Sequence, residues 1–324
     1  MKVLYIDPYV HTSYSRMYKH YDYLYDELRK ICKCYLYKKK DFKKLKKVLE
    51  ECSNKGFYPD IIFFGMGWFN LDEENFSKLD LTNNISVPIV GYFYKAQNFL
   101  VQKLNFIKAN NFDLMMSAPP KCKEYEITTG IPFKLFPHAA DPNTFYDRKI
   151  KKQFDVGFSG ALHDNKLYVE GSFKTFNIRR RAQKLLAEQK NIKSFLNGSD
   201  NISERINSYH EYAKKINQSK IWLATPAPQE EIVSRYFEIG MSGTLLFCSE
   251  IPFEYRSILQ NKKNCIEFKN DLSDFLDKFY YCLNNWLECQ EIIKNTYSEF
   301  HSDHSWFARA KSLKNEFEKL LRNK

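Results

Sequence analysis

Two glutamates, Glu230 and Glu238, stand eight positions apart in the run Glu230-Glu231-Ile232-Val233-Ser234-Arg235-Tyr236-Phe237-Glu238-Ile239-Gly240-Met241-Ser242-Gly243. A carboxylate carries two acceptor oxygens, so it can hold vicinal hydroxyls in a fork. Ribose and hexoses both present such diols. The competing reading is a pair of solvated surface acids, which is what most glutamate pairs are. The setting favours chemistry. Glu230 falls in the loop that begins Pro226-Ala227-Pro228, after the apolar run Ile221 to Ala224. Glu238 falls near the start of a helix, with Ser234 the expected N-cap and Gly243 the expected residue just past its end.

The elements that would carry these residues alternate along the chain. Short apolar runs predict strands at Lys2 to Ile6, Cys34 to Tyr37, Ile61 to Phe64, Ile89 to Tyr94, Leu114 to Met116 and Phe133 to Phe136. Segments of helical period separate them, as at Tyr18 to Ile31, Phe42 to Cys52 and Phe99 to Ala109. The pattern restarts with strands at Phe154 to Phe158, Ser194 to Leu196, Ile221 to Ala224, Leu245 to Cys248 and Cys265 to Phe268. Helices are expected at Phe176 to Gln189, Ser203 to Ile216 (with Ser203 as N-cap) and Leu272 to Asn284. A last amphipathic helix is expected from Asp303 to Leu321, with Trp306, Phe307, Ala310, Leu313, Phe317 and Leu320 along one stripe.

Strand and helix in alternation imply parallel sheets covered on both faces. The chain of 324 residues accommodates two such α/β domains. The expected division is an N-terminal Rossmann-like domain over 1–140, a C-terminal one over 150–300, and a terminal helix over 301–324 that packs back on the first. Pro137, Asp141-Pro142 and the basic run from Arg148 to Lys152 mark the boundary. Such sheets bind ligands at the carboxyl ends of their strands, and two facing domains leave a cleft there.

Here a family resemblance enters. The segment SRYFEIGMSGTLLFCSEIPF resembles the C-terminal signature of the group 1 glycosyltransferases, including their spore-maturation-protein branch. Phe154 to Gly160 resembles the opening of their second domain, and Asn177-Ile178-Arg179-Arg180-Arg181 the helix that follows. Tyr212 to Ile221 and His304 to Arg309 match two further elements. The ordered match covers about residues 130 to 310. It implies the GT-B fold: two Rossmann-like doubly wound domains facing across a cleft.

The resemblance implies transfer of a sugar from a nucleotide-diphosphate sugar to a glycan, lipid-linked or protein acceptor. Retention at the anomeric carbon, no metal and no cofactor besides the donor are part of that expectation. Glu238 would hold the ribose hydroxyls and Glu230 would face the donor sugar. Arg235 and one of Arg179, Arg180 or Arg181 would meet the diphosphate, for which a permanently charged guanidinium fork is suited. Backbone N–H groups at Ser159, Gly160 and Ala161 could add an anion nest. The loop Ala161 to Leu167 departs from the family, because Lys166 lacks the glycine that usually follows it. The alternatives are a GT-B-like shell that binds nucleotide or glycan without turnover, and a nucleotide-sugar epimerase.

Other residues carry weaker signals. His138, near the boundary, either contacts the donor as a catalytic residue or makes a structural hydrogen bond. Trp68, His11, Tyr14, Tyr94 and Lys95 follow strands of the first domain and are candidates for the acceptor side. The net charge of +11 arises from 50 basic against 39 acidic residues. The lysines are dispersed and no nucleic-acid motif appears, so nucleic acid is not an expected partner. Seven lysines between Lys38 and Lys47 could touch an anionic membrane face. Eight cysteines show no metal spacing and no disulfide framework. With no apolar run long enough to span a bilayer, the expected location is the cytoplasm, at most peripheral on the inner membrane face.

Overall fold

The structure, a computed structural model, describes residues 1–7, 20–38, 44–67, 85–96, 99–162, 173–206 and 208–323. His11, Tyr14, Trp68 and Lys166 lie outside the described residues, as do residues 39–43 of the lysine-rich run. The chain divides into two compact units, Met1–Pro137 with Trp306–Lys324, and His138–Ser305.

The first unit holds strands β1 (Lys2–Ile6), β2 (Lys33–Tyr37), β3 (Ile61–Phe64), β4 (Ile89–Phe93), β5 (Leu114–Ser117) and β6 (Phe133–Leu135). They form one parallel sheet in the order β2-β1-β3-β4-β5-β6. A parallel sheet is covered on both faces, which is why β3 reads IIFF and β4 reads IVGYF without alternation. The covering helices are α1 (His20–Leu28), α2 (Leu45–Asn54), α3 (Leu100–Ala109) and α4 (Cys122–Thr129). Leu4, Ile6, Ile62, Phe64, Phe93 and Ile107 lie in the core between them. Each such side chain contributes about 1.5–3 kcal/mol by leaving water. The C-terminal helix, Trp306–Arg322, belongs to this unit. Its Phe317 ring stands 5.6 Å from that of Phe63, and Arg309 Nε donates to Pro137 O at 2.9 Å.

The second unit holds β7 (Phe154–Gly160), β8 (Ser194–Gly198), β9 (Ser219–Ala224), β10 (Leu245–Ser249) and β11 (Ile266–Phe268). They are parallel, in the order β11-β10-β9-β7-β8. Its helices are α5 (Phe173–Ala187), α6 (Tyr209–Asn217), α7 (Ser234–Met241), α8 (Phe275–Asn284) and α9 (Trp286–Asp303), and the C-terminal helix is α10. Every expected strand is present, with ends displaced by one or two residues. The helices differ more. The helix expected from Ser203 begins at Tyr209, because Ser208 caps it by accepting from the Glu211 amide at 3.5 Å. Ser203 sits in a short 3₁₀ turn instead. Helices α4 and α9 were not expected as separate elements. The helix expected from Asp303 starts at Trp306, since Asp303 ends α9.

Strand order in the second unit places its topological switch between β7 and β9. The chain leaves β7 toward β8 on one side and continues from β9 toward β10 on the other. Ligands of open α/β sheets bind outside the carboxyl ends at such a point. The β7–β9 register runs from Phe154↔Ser219 to Gly157↔Trp222. Beyond it β7 stays paired with β8 as far as Gly160↔Gly198, and β9 with β10 as far as Ala224↔Cys248. The two central strands therefore part at their carboxyl ends.

Candidate functional site

Gly160 ends β7 with φ +140°, a conformation that side chains rarely adopt. The guanidinium of Arg235 lies against its Cα. A Cβ built there would stand 2.4 Å from Arg235 Nη2, so only glycine leaves room. Arg235 is on the first turn of α7. Its Nε donates to the Tyr212 hydroxyl at 3.3 Å, and its cation sits 5.8 Å from the centre of the Phe158 ring. Nη1 is buried and has no hydrogen-bond partner among the described residues. A buried guanidinium donor left open is costly, and an anionic ligand is what would relieve it.

One turn on, Glu238 is 6% exposed. Burial raises its pKa from 4.5 to about 7, while the charge of Arg235 and the Ser234 hydroxyl pull it down. Helix α7 is fixed firmly enough to hold both groups. Tyr236, Phe237, Ile239 and Met241 are fully buried. Gly240 lets α9 approach, for a Cβ there would meet Phe300 at 2.5 Å and Thr296 at 2.6 Å. Gly243 follows the helix with φ +62°, at the position expected for it. Ser234 is the first helical residue rather than the N-cap, which is Val233 and makes no side-chain bond.

The loop from Thr225 to Val233 joins β9 to α7. Arg179, buried on α5, ties it to the end of β7. Its Nε donates to Thr225 Oγ1 at 2.6 Å, Nη2 to Thr225 O and Pro226 O at 3.4 and 3.2 Å, and Nη1 to Ala161 O at 3.1 Å. Arg179 thus spans the gap between the parted strands. Arg180 is exposed and pairs with Asp200 at 3.4 Å. Arg181, also exposed, donates to Asp271 O at 2.9 Å. Ser159 is buried, its Oγ donating to Asn197 Oδ1 at 3.3 Å.

Within the loop, Gln229 and Glu230 both have φ +62°. Two successive non-glycine residues in the left-handed region cost about 1–3 kcal/mol each, and such strain gathers at working sites. The Glu230 side chain is exposed. Its neighbour Glu231 is the reverse: its side chain is 2% exposed and its Oε1 lies 2.7 Å from Nε2 of the equally buried His138. The expected partition of His138 between donor contact and structural bond is thus met by a direct bond to Glu231. Sequence reasoning passed over Glu231, for nothing in a Glu-Glu pair says which member turns inward.

The first-unit candidates that can be described are Tyr94 and Lys95, past the end of β4. Their carbonyls accept from the buried Lys103 Nζ at 3.2 and 2.9 Å. Among the described residues no three His, Cys, Asp or Glu gather as a metal would require, and no helix is long and apolar enough to cross a membrane.

Residues 176–315 match a family model described as glycosyl transferase-like. The matches support a glycosyltransferase. Three solved structures are similar over nearly the whole chain. Sucrose-phosphate synthase from Thermosynechococcus elongatus superposes with a TM-score of 0.64 at 11% identity, covering 100% of both chains. Anabaena HepE, solved in complex with UDP-glucose, gives 0.57 at 11% identity over 98% of this chain and 100% of its own. The β-glucosyltransferase of T4 phage gives 0.56 at 11% identity over 98% and 99%. No curated protein sequence matches the chain. At such identities the structural likeness establishes the fold, which is the GT-B arrangement of two Rossmann-like domains.

Proposed function

We propose that this glycosyltransferase takes its sugar from a nucleotide-diphosphate donor bound where β7 and β9 part. The observation that carries the reading is the open Nη1 of Arg235, buried beside the close-approach glycine at the end of β7. That is a place for a diphosphate, flanked by the backbone of Ser159 and Gly160. Glu238, one helical turn away, would accept from the ribose hydroxyls. Arg179 would serve as the strut of the site and Arg180 as a further cation at its edge. The structures of HepE with UDP and with UDP-glucose are consistent with a uridine nucleotide as one donor to try.

In transfer, the bond from the anomeric carbon to a diphosphate oxygen breaks and both electrons leave with the diphosphate. An acceptor hydroxyl oxygen supplies the electron pair for the new bond to that carbon, and its proton passes to the departing diphosphate. Charge grows on the diphosphate as the bond breaks, and a preorganised cation there is worth more than in water. Arg235 can supply it without a metal. Glu230, exposed on the strained loop, would face the donor sugar. Retention of the anomeric configuration and the spore-maturation branch follow from the motif resemblance, as does a glycan, lipid-linked or protein acceptor in the cytoplasm.

The test is a panel of nucleotide sugars screened by thermal shift, then by mass spectrometry and NMR of products with and without EDTA. One donor should raise Tm and yield a glycoside of unchanged anomeric configuration, with EDTA having no effect. Failure of every nucleotide to raise Tm defeats the proposal. Isomerised donor in the absence of acceptor would point to an epimerase. Sedimentation with anionic vesicles checks whether residues 38–47 reach a membrane.

A further inference from the structure

We infer that Glu231 and His138 form a latch that positions Glu230. The inference rests on the reading above, in that Glu230 acts on the donor sugar. Three observations carry it. Glu231 and His138 are both buried, and 2.7 Å separates Oε1 from Nε2. That is a hydrogen bond between a ring nitrogen and a carboxylate oxygen. Glu231 O also accepts from the Ala227 amide at 2.8 Å, which closes the loop on itself. Inside that closure stand Gln229 and Glu230 in the left-handed conformation. Their strain persists only while the ends of the loop are held.

The loop is anchored at two points. Arg179 grips Thr225 and Pro226 at its start, and the pair with His138 grips Glu231 near its end. Between these grips the chain must turn sharply, and Glu230 stands exposed on the turn. Turning Glu231 inward leaves Glu230 facing out. The second oxygen of Glu231, Oε2, is buried with no hydrogen-bond partner among the described residues. The latch therefore rests on one side-chain hydrogen bond and is open to release. Glu231 and His138 are positioning residues, acting through Glu230 rather than on the substrate.

The first arm of the test needs no activity. Amide exchange is measured in Glu231→Ala and Glu231→Gln. The Ala227 amide should exchange at least tenfold faster in Glu231→Ala, while the α7 amides keep their protection. Glu231→Gln can still accept from His138 and should stay near wild type. Unchanged exchange at Ala227 in Glu231→Ala overturns the latch. If Glu231→Ala does not fold, His138→Gln, which can also donate to Glu231, should keep Ala227 protected, and loss of protection there overturns it.

The second arm is kinetic. Glu231→Ala should lower kcat about as much as Glu230→Ala, by roughly ten- to hundredfold, and leave nucleoside diphosphate affinity within about twofold. In the Glu230→Ala background it should add almost nothing, because residues acting as one unit are not additive. Fully additive losses, or loss of nucleotide affinity in step with kcat, overturn the inference. A wild-type chain that turns over no donor refutes the proposed function, and the exchange arm still decides the latch.

Discussion

Gly160 and Arg235 share a space that a single methyl group would close: a Cβ on Gly160 would lie 2.4 Å from Nη2 and 3.2 Å from Cζ of the arginine. The close approach joins the end of a strand to the start of a helix across 75 positions of sequence. It sets where the guanidinium can point, and the proposed diphosphate site depends on that direction.

Gly160→Ala should therefore act twice. The backbone at φ +140° is nearly closed to alanine, which costs about 1–3 kcal/mol of stability. The new methyl also pushes Arg235 off its place. We expect a fall of several degrees in Tm by calorimetry and about a tenfold loss of nucleoside diphosphate affinity, measured at a temperature where the variant is folded.

Glu238 gives a pH dependence. Its carboxyl holds a proton up to about pH 7 in the folded chain, but loses it near the ordinary 4.5 when unfolded. Between those values the folded state binds more protons. This group's effect is thus to lower stability as pH rises from about 4.5 to 7, and it is level beyond. Nucleotide binding runs the other way, since a forked acceptor for two hydroxyls must be ionised. Affinity should climb between pH 6 and 8, and calorimetry should register proton release near pH 6.5. Glu238→Gln should flatten both profiles and weaken binding at pH 8.

Arg179 should matter for structure and site alike. Arg179→Met removes the donors that hold Ala161, Thr225 and Pro226 and leaves their oxygens buried without those bonds. A loss of roughly 3 kcal/mol in urea unfolding is expected. Arg179→Lys cannot reach both strand ends with one ammonium and should recover less than half of it. A wild-type midpoint in Arg179→Met would show that the strut carries no load.

Glu230→Ala should separate binding from turnover. With the side chain exposed, stability should change by less than about 0.5 kcal/mol. Nucleoside diphosphate affinity should hold while kcat falls roughly ten- to hundredfold, read by product mass spectrometry. Equal wild-type kinetics in Glu230→Ala and Glu238→Ala would show that the motif has been assigned wrongly.

The strands were legible in the sequence because parallel strands are buried on both faces, and IIFF or LLFCS can hardly be anything else. The placement of Glu230 in the loop after a strand and of Glu238 on the helix that follows was legible from their spacing and from the apolar run before them. Gly243 was legible because a helix end calls for glycine. Three things were not. Helix α9 was not read as an element, and the helix expected from Asp303 begins three residues later at Trp306, since His304 and Ser305 between the two are not the usual breakers. The role of Arg179 depended on which of three adjacent arginines faces inward, and the helix phase decides that only once packing is known. Glu231 and His138 meet across 93 positions, and no local pattern announces such a bond.

The most direct test of the account is a crystal structure with the nucleoside diphosphate that gives the largest thermal shift. The account predicts a diphosphate oxygen within hydrogen-bond reach of Arg235 Nη1, beside Gly160, with ribose hydroxyls on Glu238. A nucleotide bound elsewhere, with Arg235 Nη1 still bare, would contradict it.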